Sequence, residues 1–153
     1  MNKRKFFILI IILICIDQIS KFLVVFNKDD LPKTIIKNFL NITYCENRGI
    51  AFGLASGYVQ LFSIITLVII VAILICVCIN FKKINTFLSV GIGMLISGGV
   101  GNLIDRLIRL YVVDFIDFGD FINFPVFNIA DIFVVIGVIV IGISCLKNEK
   151  LDV

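Results

Sequence analysis

Residues 127–142 read FNIADIFVVIGVIVIG, a long apolar run that carries Asn128 and Asp131 near its beginning. A helix needs about 20 apolar residues to cross the hydrocarbon core of a bilayer. Such a helix also satisfies its own backbone hydrogen bonds, as a spanning segment must. The run therefore predicts a membrane span over residues 126–146. The span would place the Asp131 carboxylate inside the membrane, where an ionisable group is by default a candidate for function.

The rest of the chain is similarly apolar. Of its 153 residues, 60% are hydrophobic and 16% are charged, and the mean hydropathy is +1.13. A soluble domain is only about 45–50% apolar. Three further runs, 6–26, 59–81 and 85–104, are long enough to cross a membrane. We therefore predict an all-α membrane protein, a single polytopic domain over residues 1–153 with four transmembrane helices.

The charges around the first span indicate its orientation. Three cations, at residues 3–5, precede the span, whereas Lys28 behind it is followed at once by Asp29 and Asp30. Basic residues beside short spans favour the cytoplasmic side. The first run also lacks a small-residue cleavage site and continues to Phe26, which favours an uncleaved helix over a signal peptide. We expect both termini in the cytoplasm and the loops 27–58 and 105–125 outside.

Both of these loops carry structural patterns. In LNITYCEN, residues 40–47, apolar and polar side chains alternate, which is typical of a strand with one apolar face. The second loop, YVVDFIDFGDFINFP, residues 111–125, mixes aromatic and acidic residues and suits the membrane interface. We expect a small sheet on the outer face of the membrane that the chain spans.

We interpret the small residues of the third span and the cysteines as packing residues. Gly93, Ser97 and Gly101 recur every four residues, which favours close packing of the third helix against a neighbour. The five cysteines are odd in number and mostly lie within apolar runs, so we interpret them as small core residues. The chain contains no histidine, which excludes a histidine-based metal centre and a Ser-His triad.

Polar residues recur in four segments: three of these segments carry them just beneath the predicted outer surface, whereas Asp17 of the first span lies about 16 Å deep, near the middle of the bilayer. Asp17 and Lys21 are four apart and share one helix face, which predicts a structural ion pair. The outer end of the third span carries Asn102, Asp105 and Arg106, although Asp105 could simply pair with Arg106 or cap a helix end. Further along the chain, Asp114 lies in the second outer loop, and Asn128 and Asp131 open the fourth span.

The two carboxylates Asp114 and Asp131 could act together if they face one another. Two adjacent carboxylates cannot readily both ionise, so one keeps a proton while the other remains a base. Such a pair can deprotonate a water, protonate a carbonyl oxygen and donate to a leaving amine. Asp131 lies about five residues into the predicted span, about 7–8 Å beneath the outer boundary at about 1.5 Å per residue.

Five motifs together resemble those of the lipoprotein signal peptidase, or signal peptidase II, family. They cover nearly the whole chain in the family's order: DQISK at 17–21, NRGIAFG at 47–53, GGVGNLIDR at 98–106, VVDFIDF at 112–118 and FNIAD at 127–131. One departure is visible, because Ile50 stands where the family usually has a small residue. This departure concerns the packing of the first outer loop and leaves the carboxylate pair intact.

The resemblance implies an aspartic endopeptidase of the bacterial inner membrane. It would remove signal peptides from diacylglyceryl-modified prolipoproteins, cleaving before the lipidated cysteine. The catalytic pair would be Asp114 and Asp131, Asp17 and Lys21 would brace the scaffold, and the first outer loop would form a β-cradle. The supporting polar residues would be Asn47, Gly49, Asn102, Asp105, Arg106 and Asn128. We expect a monomer in contact with membrane lipid, with no cofactor, no metal and no nucleic-acid partner.

Two other classes of function compete with this interpretation. In a small proton-coupled transporter or channel subunit, Asp17, Lys21 and Asp131 would form a relay. A relay should thread polar groups through the bilayer, whereas the inner ends of the four spans are nearly free of them. An assembly factor without chemistry would leave the paired carboxylates unexplained.

Overall fold

The computed structural model describes residues 1–49, 59–122 and 124–149. Within these ranges four long helices are present: α1 (Lys3–Phe26), α2 (Val59–Asn80), α3 (Thr86–Arg109) and α4 (Ile129–Glu149). All four are long and apolar enough to cross a membrane. The prediction of a helical membrane protein with four spans is therefore confirmed. Ile50 lies outside the described residues.

Several helix ends differ from the predicted spans by one to five residues, and two of these differences have a clear local cause. The helix α3 continues five residues beyond 104, to Arg109, and ends where Leu110 adopts a left-handed conformation with φ 63°. The helix α4 begins at Ile129 rather than at 126. Its start is set by a reciprocal cap, in which the Asn128 side-chain oxygen accepts from the Asp131 N–H and the Asp131 carboxylate accepts from the Asn128 N–H. The cap, which hydropathy does not reveal, decides where the helix begins.

The helix α3 lies at the centre of the bundle and contacts each of the other three helices. Gly93 and Gly101 face α1, Gly98 faces α4 and Gly99 faces α2. A Cβ atom added at Gly101 would overlap the Asp17 carboxylate, so only glycine allows this approach. The predicted packing role of the small residues is thus confirmed, and α3 uses them towards more than one neighbour.

The cysteines do not form part of the core. All five are free and exposed on the outward surface of the protein. The interpretation of the cysteines as core residues is therefore wrong. Those on the spanning helices lie where lipid surrounds the bundle, and an uncharged thiol is compatible with such a surface.

A three-stranded antiparallel sheet lies against one end of the helical bundle, in the order β1 (Lys33–Ile36), β2 (Leu40–Asn47), β3 (Val112–Asp117). Buried Val113 and Phe115 of β3 pack with Val24 of α1. We call this the sheet end of the bundle, where α1 and α3 terminate and α4 begins. The strand predicted at 40–47 is confirmed as β2. The strand β3 was not predicted, because the side chains of residues 112–115 are all buried and do not alternate between apolar and polar.

Candidate active site

A cavity of about 290 Å³ lies at the sheet end of the bundle. Its polar lining consists of Asn47, Asn102, Arg106, Asp114 and Asp131. Its apolar lining consists of Val112, Phe124, Pro125, Val126, Phe127, Val134 and Val135. The fold thus brings together polar residues from β2, α3, β3 and α4 that are far apart in the sequence.

Asp131 enters the cavity from the first turn of α4. One carboxylate oxygen accepts a hydrogen bond from Asn102 Nδ2 at 2.7 Å, and the other accepts from the Asn128 backbone N–H at 3.2 Å. The amino-terminal end of a helix carries partial positive charge, which is favourable for a negative side chain. These two donors therefore hold both oxygens of the Asp131 carboxylate in place.

Asp114 enters from β3 and is only 3% exposed. Its two carboxylate oxygens accept from Asn47 Nδ2 at 2.9 Å and from Asn128 Nδ2 at 2.6 Å. Burial raises the pKa of Asp114 to about 6, and the nearby charge of Asp131 adds to that effect, whereas the two amide donors oppose it. Near neutral pH this carboxyl group can therefore change its protonation state readily.

Asn128 connects the two carboxylates and is completely buried. Its Nδ2 donates to Asp114 and also to Asn102 Oδ1, at 3.1 Å, while its Oδ1 accepts from the Asp131 N–H at 3.0 Å. A backbone N–H can only donate, so the oxygen of this amide must face Asp131 and its nitrogen must face Asp114. The hydrogen bond that caps α4 thereby directs the Asn128 NH₂ group towards the Asp114 carboxylate.

Asn47 is fixed in a similar way at the end of β2. The buried Gly49 donates its backbone N–H to Asn47 Oδ1 at 3.0 Å. Because the oxygen is held by Gly49, Asn47 Nδ2 is directed towards Asp114. Gly49 therefore contributes to the site through its backbone.

Beside the cavity, Asp17 and Lys21 form the predicted ion pair, with Lys21 Nζ 3.0 Å from the Asp17 carboxylate. Both side chains are fully buried. Asp17 also accepts from the Ala130 backbone N–H at 3.0 Å, so it caps the start of α4 from another helix. The ion pair therefore joins α1 to the element that carries Asp131.

Asp105 pairs with Lys21 at 3.0 Å and with Arg109. The ion pairs found among the described residues do not include the Asp105–Arg106 pair considered from the sequence. Asp105 also accepts from the Val113 backbone N–H at 3.1 Å, one residue before Asp114. Arg106 instead lines the cavity. Asp105 thus fixes the start of β3 against α3.

The structure brings together the residues that the sequence singled out, but several of their contacts were not predicted. The spacing of Asn128 and Asp131 is that of a capping box, and this signal could have located the start of α4. Nothing in the sequence indicated the contact of Asp17 with the Ala130 N–H. Within the described parts of the chain, no cluster of three or more carboxylate or thiol groups is arranged to hold a metal ion.

The fold and the cavity define a multi-pass membrane protein with a buried polar site near the ends of its helices. Residues 9–147 match the family described as Signal peptidase (SPase) II. The chain therefore belongs to the signal peptidase II family, a family of membrane peptidases, and the resemblance carried by the five motifs is confirmed. This membership does not favour the transporter alternative and supports a multi-pass protein of the bacterial inner membrane.

Individual relatives agree with this assignment. The chain is 43% identical over 136 residues to a lipoprotein signal peptidase of Fusobacterium nucleatum, covering 87% of this chain and 81% of the relative. It is 42% identical to a lipoprotein signal peptidase of Staphylococcus haemolyticus, covering 97% and 98% of the two chains. A bacterial membrane enzyme solved by the in meso method at 2.3 Å resolution matches with a TM-score of 0.85 and 38% identity, covering 96% of this chain and 90% of that one.

Proposed function

We propose that this protein is an aspartic endopeptidase that removes signal peptides from diacylglyceryl-modified bacterial prolipoproteins, cleaving before the lipidated cysteine. Asp114 and Asp131 would be its catalytic residues. The observation that carries the proposal is that two carboxylates, from β3 and α4, line one cavity and are each held by separate hydrogen-bond donors. The names of the relatives support the choice of substrate.

The surroundings of the two carboxylates suggest a division of labour. Asp131 accepts two hydrogen bonds at a helix start, which suits a general base that deprotonates the attacking water. Asp114, with its pKa raised to about 6, suits the group that protonates the carbonyl oxygen as the water attacks. When the C–N bond breaks, Asp131 passes the proton taken from the water to the leaving amine, and Asp114 recovers its own proton from the hydroxyl group of the tetrahedral intermediate. Because the two groups interact, the apparent pKa values of the reaction belong to the pair.

The cavity wall offers groups that could bind substrate. Arg106 provides a cation, and we assign it a supporting role towards the polar backbone of the substrate. The apolar wall, which includes Phe124, Val126 and Val134, is compatible with the hydrophobic part of a signal peptide. Asn47, Gly49, Asn102, Asp105 and Asn128 would orient the carboxylates, and Asp17 with Lys21 would brace them.

The depth of the site favours a lipidated substrate. Because α4 begins at Ile129, Asp131 is its third residue and lies about 3–5 Å from the helix start, closer than the 7–8 Å expected from the sequence. An acylated cysteine is held at the membrane boundary by its own chains, each buried CH₂ contributing about 0.8 kcal/mol of membrane affinity. The lipid would thus deliver the scissile bond to the level of the carboxylates.

We place the cavity near the outer face of the membrane, with both termini in the cytoplasm. The proposed active form is a monomer.

The experiment that tests this function uses the purified protein and a diacylglyceryl-modified prolipoprotein in detergent, with release of the signal peptide as the readout. Asp114→Asn and Asp131→Asn should each abolish cleavage in a folded protein, because an amide cannot act as a base. Asp117→Asn is the matched control, since it lies on the same strand as Asp114 but contacts the Gly119 N–H and should remain active. Substantial turnover by either catalytic variant would contradict the assignment.

The second arm of the experiment compares substrates. The same prolipoprotein without diacylglycerol should be cut far more slowly in the same detergent, because nothing then holds its scissile bond at the membrane boundary. Equal rates with acylated and unacylated substrate would show that the lipid does not deliver the substrate.

A further inference from the structure

Lys21 does more than neutralise the carboxylates of the scaffold, because it also touches a residue that contacts the site. Its Nζ donates a hydrogen bond to Asn102 Oδ1 at 2.8 Å, and Asn102 Nδ2 donates to Asp131 Oδ1 at 2.7 Å. Lys21 is fully buried and Asn102 is 8% exposed. A continuous path of two hydrogen bonds therefore runs from α1 through α3 to the carboxylate on α4.

The chemistry of an ammonium group fixes the direction of this path. An ammonium can only donate, so the oxygen of the Asn102 amide must face Lys21 and its NH₂ group must face the other way, towards Asp131. Asn128 Nδ2 donates to the same Asn102 oxygen and supports the same orientation. A reversed amide would oppose donor to donor at Lys21 and an oxygen to the carboxylate at Asp131.

The ammonium group is itself held rigidly. Its three hydrogens meet three acceptors, Asp17 and Asp105 at 3.0 Å each and Asn102 at 2.8 Å. Neither carboxylate is accessible to solvent. The charged side chains around this path are Asp17 on α1, Asp105, Arg106 and Arg109 on α3, Asp114 on β3 and Asp131 on α4. Lys21 thus has a fully determined position beside Asn102.

We propose that Lys21 is a positioning residue of the reaction, which acts through Asn102 to keep a hydrogen-bond donor on the Asp131 carboxylate and to hold that carboxylate in its working orientation. This inference rests on the proposed catalytic role of Asp131. It differs from a purely structural role for Lys21, because a structural role requires the contacts with Asp17 and Asp105 but not the orientation of the Asn102 amide.

A double-mutant cycle separates these two roles. Lys21→Met and Asn102→Ala should each lower kcat by about 10²-fold, the typical effect of misplacing a reacting group. In the double variant, kcat should fall no more than about twofold further, within the additivity error of such cycles, because both changes remove the same donor. The melting temperature should still fall further when Lys21→Met is added, since Asp17 and Asp105 each lose an ion pair with Lys21. Additive losses in kcat would overturn the inference.

A matched core variant controls for lost stability. Phe6→Leu changes a fully buried residue in the first turns of α1 and should lower the melting temperature while leaving kcat unchanged. If Lys21→Met reduces kcat no more than a core variant of equal melting temperature, its role is structural. Turnover by Asp131→Asn would instead refute the proposed function, so the two failures are distinguishable.

A conservative pair of variants covers the case in which Lys21→Met does not fold. Lys21→Arg keeps a group that can only donate towards Asn102, whereas Lys21→Gln offers an oxygen that allows the Asn102 amide to turn round. We expect Lys21→Arg to retain at least tenfold more activity than Lys21→Gln. If neither variant folds, the protein with Lys21 in place is compared with its Asp131→Asn variant. The ¹⁵N resonance of the Asn102 side-chain amide should differ between the two. Equal activities of the pair, or an unmoved resonance, would overturn the inference.

Discussion

The buried carboxylate of Asp17 offers a direct test of how the scaffold supports the site. Its partners are all donors: Lys21 Nζ, Gln18 Nε2 and the Ala130 N–H, each at 3.0 Å. In Asp17→Asn, the new NH₂ group must face either Ala130 or the other two donors, so at least one donor opposes another in either orientation. The substitution also removes a charge from a buried pair.

The expected cost follows from these contacts. Breaking a buried ion pair costs about 3–5 kcal/mol. We expect the lower end, about 3 kcal/mol, because Lys21 keeps Asp105 as a partner. For a chain of this size, about 1 kcal/mol corresponds to about 2–4 °C, so the melting temperature should fall by about 6–12 °C. Thermal unfolding in detergent, followed by far-ultraviolet circular dichroism, measures this shift.

The matched control is Asp30→Asn, which alters an exposed carboxylate in the turn after α1. A surface change of this kind should alter stability by no more than about 0.5 kcal/mol. If Asp17→Asn melts like the unaltered protein but no longer cleaves substrate, the bracing role is wrong. Asp17 would then take a direct part in the chemistry or in proton transfer.

Three further predictions concern the packing and the titration of the site. Gly101→Ala should lower stability by about 1–3 kcal/mol, because its Cβ would displace Asp17, whereas Gly142→Ala, with nothing within 4 Å, should not destabilise the protein; thermal melts of the two variants test this. Burial raises the pKa of Asp114 from 3.8 to about 6. The part of the free energy of unfolding that depends on this group is therefore fully present below about pH 4 and is lost as the pH rises through 6. This loss amounts to about 3 kcal/mol, and melts recorded between pH 4 and 7 should show a smaller decline for Asp114→Asn than for the unaltered protein. Asn128→Ala should destabilise α4 by about 1–2 kcal/mol, measured by the same melts, and should also abolish cleavage, since it removes both the helix cap and a donor to Asp114.

The spans were predictable because the bilayer imposes a simple requirement on them. A helix in lipid must be apolar over about 20 residues, and hydropathy alone reveals this. The strand β2 was predictable because Ile42 and Tyr44, which pack against the core of the sheet end, alternate in the sequence with the polar Asn41 and Thr43. By contrast, β3 is buried at Val112, Val113, Asp114 and Phe115, so no alternation marks it.

The sequence also showed which polar residues lie within the apolar segments, but it did not show which residues they contact. A polar residue in an apolar helix stands out in the sequence, as Asp17 and Lys21 do. The partner of such a residue depends on how far one helix is shifted along another, and this shift is set by packing. Lys21 meets Asp105 because Gly101 lets α1 approach α3 closely at that level.

Three asparagines of the site obey one rule that follows from their neighbours. The oxygen of each amide is held by a group that can only donate: the Gly49 N–H for Asn47, the Lys21 ammonium for Asn102 and the Asp131 N–H for Asn128. Each NH₂ group consequently points at a carboxylate. Replacing any of the three by aspartate would set an acceptor against an acceptor in a buried site. Asparagine is therefore required at these positions for its two different ends, and size and polarity alone would not suffice.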